Sequence, residues 1–167
     1  MTARSLVAGT VKRAAAVDSE RQLTSFMDKF SEADQRLIRS VRRAVRRRLP
    51  TANELVWDNY NFLVIGYSAT DRPSDSILSI AARANGLGLC FIHGASLPDP
   101  EGILSGSGSQ TRFLRLDSAV VLGRAEVAVL VDAAVARSKV PFPPRGRGRL
   151  IVRSVSAKQR PRRKAIR

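Results

Sequence analysis

The chain has 167 residues, 44% of them hydrophobic and 26% charged, with a net charge of +15 at pH 7. That length suits one domain with a real core, and no apolar run nears the ~20 residues a membrane span requires. One cysteine and one histidine exclude an intramolecular disulfide and a typical structural zinc site, so a reducing, cytoplasmic setting is the simplest expectation.

The charge is unevenly placed. Residues 1–20 carry three basic and two acidic side chains, 21–140 carry sixteen and twelve, and 141–167 carry ten basic and none acidic. The high charge describes the C-terminal end more than the domain before it. Residues 1–20 show no clear periodicity and are expected as a loose leader. Their apolar stretch is too short, and too soon broken by Lys12 and Arg13, for a signal peptide. The clearest helix follows. Ser31 can cap its first turn with Asp34 three residues on, and Leu37, Ile38, Val41, Ala44 and Val45 form one apolar stripe. Arg39, Arg42, Arg43, Arg46 and Arg47 occupy the opposite arc, and Pro50 stops the helix.

The period then changes to two. "ELVW", "NFLVIGYSA", "SILSIAA", "GLGLCFIHG" and "TRFLRLD" are five strand candidates. Between the last two lies the long loop "ASLPDPEGILSGSGSQ", with room for one helical turn at 100–104. Helical spacing returns over 118–139, most clearly over 126–137, and "PFPP" ends it. Short turns between strands favour antiparallel pairing, and a helix at each end needs a surface for its stripe. The expectation is an α+β domain over 21–144: a curved antiparallel sheet of five or six strands with N- and C-terminal helices packed on one face. A basic tail follows over 145–167, in which 149–155 alternates weakly and can add an edge strand.

Four groups of residues raise functional questions. Gly106 and Gly108 in "GSGSQTR" suggest a phosphate cradle, but the chain after them alternates like a strand. Without a helix dipole or a P-loop lysine, a turn is the better reading, with Arg112 and backbone N–H groups as a shallow nest at most. Cys90 and His93 point to opposite faces if 87–93 is a strand, so they do not form a thiolate pair; His93, at the strand end, can border a pocket. Trp57, Asp58, Asn59 and Tyr60 gather polar-tipped side chains that suit a ligand pocket or an interface. Asp28, Glu32 and Asp34 are scattered acids near arginines, better read as solvated helix-start residues than as cation ligands. The tail offers Arg145, Arg147, Arg149, Lys158, Arg160, Arg162, Arg163 and Lys164 to a polyanion. It has no aromatic side chain, so its contacts would be to phosphates and would be salt-sensitive.

With these segments in place, the chain resembles the YdhG-like family, a bacterial domain of unknown function. The residues that carry the resemblance are "VWDNYNFLVIGYSATDRPSDSILSIA", "LPDPEGILSGSGSQTRFLRL" and "GRGRLIVRSVSAKQRPRR", within residues 22–163. Many members have a Ser-Trp-Gly…Pro pattern where this chain has Trp57-Asp58-Asn59-Tyr60-Asn61, so it represents a divergent branch. The resemblance implies a compact α+β domain and no catalytic motif. A distant likeness of some relatives to frataxin implies iron handling, which an arginine-rich first helix opposes. The reading leans away from an enzyme, since no nucleophile, base and oxyanion set can be assembled. It points to a binding module for an unidentified small molecule or protein near Trp57, Asp58, Asn59, Tyr60, His93, Gly106, Gly108 and Arg112. The alternative is nucleic-acid binding through the tail. No cofactor, metal or membrane partner is expected, and the sequence sets no oligomeric state.

Overall fold

The computed structural model describes residues 3–165, with side chains from residue 8 onward. Its elements are α1 (Ala3–Met27), α2 (Glu32–Arg48), β1 (Asn53–Asp58), β2 (Leu63–Ser68), β3 (Ser76–Arg83), β4 (Gly86–Phe91), β5 (Arg112–Leu116), α3 (Ala125–Ala136) and β6 (Leu150–Val155). The architecture is α+β: an open six-stranded sheet in the order β5-β4-β3-β2-β1-β6, with helices from both ends of the chain.

Strands β1 to β5 pair antiparallel with their sequence neighbours. β6 departs from the expected all-antiparallel sheet. It lies parallel to β1, with Glu54 opposite Leu150 and Val56 opposite Val152, so the sheet is mixed. The chain returns from α3 to the end of the sheet where β1 begins, and a strand entering there runs in the direction of β1. Gly148 permits the entry: a Cβ at that position would lie 1.6 Å from the Ala52 carbonyl oxygen.

The expected leader is also corrected. Residues 3–27 form one helix, whose positions 8–18 are exposed while Leu23, Phe26 and Met27 enter the core. Alanines and long basic side chains favour the helix, while its positions 8–18 stay exposed. An exposed helical stretch needs no 3.6-residue apolar period, so residues 8–18 carry none. In α2, Ser31 caps as anticipated: its Oγ accepts the Asp34 N–H at 3.2 Å. Ile38, Val41 and Val45 are its buried stripe. The second helical region divides into a one-turn 3-10 segment, Ala119–Gly123, and α3. Ser118 caps the first piece, its Oγ accepting the Val120 N–H at 3.2 Å. The single turn expected at 100–104 is a hydrogen-bonded turn, Gly102 N–H to the Asp99 carbonyl at 3.1 Å, and not helix; the Asp99 carboxylate accepts the N–H groups of Ile103 and Leu104, each at 3.0 Å.

Buried residues of α1, α2 and α3 merge with Val56, Leu63, Ile65, Tyr67, Leu78 and Leu89 into one core. These strand positions share one alternation, so all three helices cover the same face of the sheet. Burying each such side chain contributes about 1.5–3 kcal/mol. No helix among the described residues is long and apolar enough to cross a membrane.

Candidate functional site

β1 separates the two most suggestive residues of its end. Alternation turns Trp57 outward and Asp58 inward, where Asp58 has no exposed surface. Its Oδ1 accepts Arg162 Nη2 at 2.9 Å, and its Oδ2 accepts Lys29 Nζ. Gln159 completes the cluster: Lys29 donates to its Oε1 at 2.9 Å, while its Nε2 donates to the Asp58 carbonyl at 2.9 Å. Arg163 reaches the carbonyls of Phe30 and Asp28, each at 3.2 Å. Asp58 is thus the anchor of the C-terminal segment and is not open to a ligand. Arg162, expected on a solvated tail, is buried with it. Arg145, Arg147, Arg149, Lys158, Arg160, Arg163 and Lys164 are exposed. Asn59 donates its backbone N–H to the Phe62 carbonyl at 3.0 Å, and Tyr60 lies in the turn with the Arg160 guanidinium 5.5 Å from its ring centroid.

His93, Gly106, Gly108 and Arg112 lie at the other end of the sheet. Trp57 is level with Val64, Ala81 and Gly88 across three strand spacings, and His93 is five residues beyond Gly88. Strand geometry therefore separates Trp57 from His93 by about 20 Å. The single site expected from the sequence is two places.

At the His93 end the glycine loop is a turn. Ser105 and Phe113 exchange both backbone hydrogen bonds, at 2.7 and 2.8 Å, and Gly106 takes the φ of +123° that closes the bend. Arg112 Nη1 donates to the carbonyls of Gly108 and Thr111, which ties one end of the guanidinium to the loop itself. His93 instead borders a cleft of about 270 Å3 between the β3 and β4 ends and the exit of α3. Ile77, Leu97 and Ala134 supply its apolar wall, Arg137 and Lys139 its cationic side, and the His93 imidazole lies beside them. Asp75, the cleft's one acid, already accepts Thr70 Oγ1 at 2.6 Å. Arg137 donates to the Ser96 carbonyl, which fixes the guanidinium at the rim. The sequence did not reveal Asp75, Arg137 and Lys139 as neighbours of His93, because they come from two segments more than sixty residues apart. A wider apolar groove of about 580 Å3 between α2 and α3 has Arg47 and Arg48 at its mouth. Arg48 there is held by Asp132 at 2.8 Å.

Elsewhere the charges serve the fold. Arg42 bridges Glu20 and Glu54 with four hydrogen bonds of 2.7–2.9 Å. The hydrogen bond from Arg42 holds the Glu20 carboxyl below its ordinary range, outweighing partial burial. Tyr67 donates to Glu54 at 3.2 Å, and burial, then the Glu54 charge, pushes its phenol well up. Burial pushes the Cys90 thiol up against a weaker Ser79 hydrogen bond, which makes it a poor nucleophile. Asp28 faces Arg39 and Glu32 faces Arg36, both at 3.6 Å, and Asp34 accepts Ser31 Oγ at 2.7 Å. These acids are committed to local partners. Compared with known proteins, the chain matches no family model and has no significantly similar curated protein or solved structure.

Proposed function

We propose that this chain is a YdhG-like, cytoplasmic binding module, without catalysis of its own, for a small anionic ligand held in the cleft beside His93. The observation that carries the reading is the convergence of His93, Arg137 and Lys139 on a partly enclosed cleft whose one acid is already hydrogen-bonded. Two cations next to an apolar wall, one of them held by the Ser96 carbonyl, suit a carboxylate or phosphate monoester with a short apolar body. Its volume, about 270 Å3, admits a metabolite-sized molecule and excludes a folded partner.

A thermal-shift screen of carboxylates and phosphate monoesters tests this. A true ligand at 100 times its Kd stabilises the protein by about 2.7 kcal/mol. The Arg137→Ala/Lys139→Ala variant should lose that shift while keeping its own melting temperature near that of the parent. A screen without any shift, or a shift that survives in the double variant, ends the reading. The second reading, nucleic-acid binding, draws on the eight basic C-terminal side chains that are exposed among the described residues, the seven named above and Arg153.

A further inference from the structure

We propose that the face of the sheet opposite the helices is a docking surface for single-stranded nucleic acid. Side chains on this face lie outside the core that the helices share. It holds Trp57 on β1, Phe62 at the start of β2 and Phe113 on β5, the last 48% exposed. The outward positions between them are Val64, Gly66, Ser79, Ala81, Gly88 and Cys90, all small or short, so Trp57 is the one large side chain that extends over the centre. Trp57 leans into that space: a Cβ on Gly66 would lie 3.1 Å from its Cζ3.

The charge of the face selects the occupant. The six strands contain two acids, Glu54 and Asp58, and both point inward and are buried. The outward positions carry Arg83 and Arg115 instead. Arg83 sits with its guanidinium 5.6 Å from the Phe62 ring centroid. At the border, Asp117 engages Arg115 Nε at 3.1 Å and leaves the rest of the guanidinium open. The β6 edge extends the same charge. Exposed Arg147 and Arg149 precede β6, and Lys158 and Arg160 follow it. The backbone bonds from Ser156 to the Asp58 carbonyl and from Arg160 to the Tyr60 carbonyl, both 2.9 Å, hold that second pair beside Trp57. A sheet face whose strands present no outward acid, with separated aromatic rings and arginines at its edges, matches a strand whose bases are free to stack and whose phosphates reach the rim. A duplex hides its base faces and would use the arginines alone. An acidic peptide would leave the rings unused.

The test uses the full chain and single-stranded oligonucleotides of about a dozen residues, with Trp57 as the sole tryptophan and its own reporter. Binding at low salt should quench Trp57 emission, and log affinity should fall with log salt by about 0.7 per phosphate contacted. Phe113→Ala, at an exposed position whose loss leaves the core intact, should weaken binding about tenfold or more. Arg83→Gln/Arg115→Gln should flatten the salt dependence. Arg137→Ala in the cleft should change neither, which separates this surface from the ligand reading. The proposal is overturned if Trp57 emission does not respond, or if duplex DNA or polyglutamate binds as tightly as the single strand. It is overturned equally if Phe113→Ala binds like the parent while Arg145→Glu/Arg147→Glu/Arg149→Glu abolishes binding, since the basic segment alone would then be the site.

Discussion

The two buried carboxylates of β1 sit four residues apart on the same face, yet they do different work. Glu54 is enclosed by side chains from α2 and the neighbouring strand β2, with Arg42 twelve positions before it and Tyr67 thirteen positions after. Arg42 spends its guanidinium on Glu54 and Glu20 together, which ties α1 and α2 to the sheet. Asp58 draws Lys29 from twenty-nine positions before it and Arg162 from 104 positions after. Arg162 pays for that reach: its Nε and Nη1 are buried with no hydrogen-bond partner among the described residues. The Phe30 ring, 5.9 Å from the guanidinium, offsets part of this cost. A carboxylate satisfied by its neighbours braces a helix pair, whereas one satisfied from a distance clamps a chain end.

The largest expected effect breaks the distant clamp. Asp58→Ala strands a buried guanidinium and should cost about 3–5 kcal/mol in denaturant unfolding. Glu54→Gln keeps a neutral acceptor beside Arg42 and leaves Glu20 in place, so it should cost about 1–3 kcal/mol. Equal losses would erase the distinction. Arg162→Met removes charge and orphan donors together and should be milder than Asp58→Ala, while amide exchange over 156–163 accelerates because the clamp is gone.

Acid sharpens the comparison next. Glu20 has a folded-state carboxyl pKa below its unfolded value, so its stabilising contribution is present above the ordinary carboxylate range. That contribution is lost as pH falls through the depressed value. Stability should therefore decline on acidification, and Glu20→Gln should flatten the decline. Glu20 is half exposed, so solvent screens the pair and the effect is smaller than that of Asp58→Ala. An unchanged acid limb in the variant would remove Glu20 from the brace.

The smallest effect concerns the outward face. Cys90, its thiol pushed up by burial, should be alkylated at neutral pH far more slowly than in denaturant. Asp58→Ala should raise that rate only through global opening, since the clamp lies on the inner face. Immediate modification in the native protein would show that the Cys90 thiol is reached without unfolding.

Much of the fold was legible. α2 could be placed from the Ser31 cap, the 3.6-residue stripe and Pro50, and five strands from their two-residue alternation, because such signals are local. The cleft was half legible: His93 stood out as the sole histidine at a strand end, but nothing nearby in the chain announced Arg137 or Lys139.

The chain by itself determined where it could coil and where it could pleat, since capping, periodicity and turn chemistry act over a few residues. Tertiary structure alone decided that the edge strand legible at 149–155 would run parallel to β1, that Arg162 would be buried against Asp58, and that Trp57 and His93 would part. Pairings across a hundred residues leave no local period. They are chosen by which buried charge needs a partner and which sheet edge remains open.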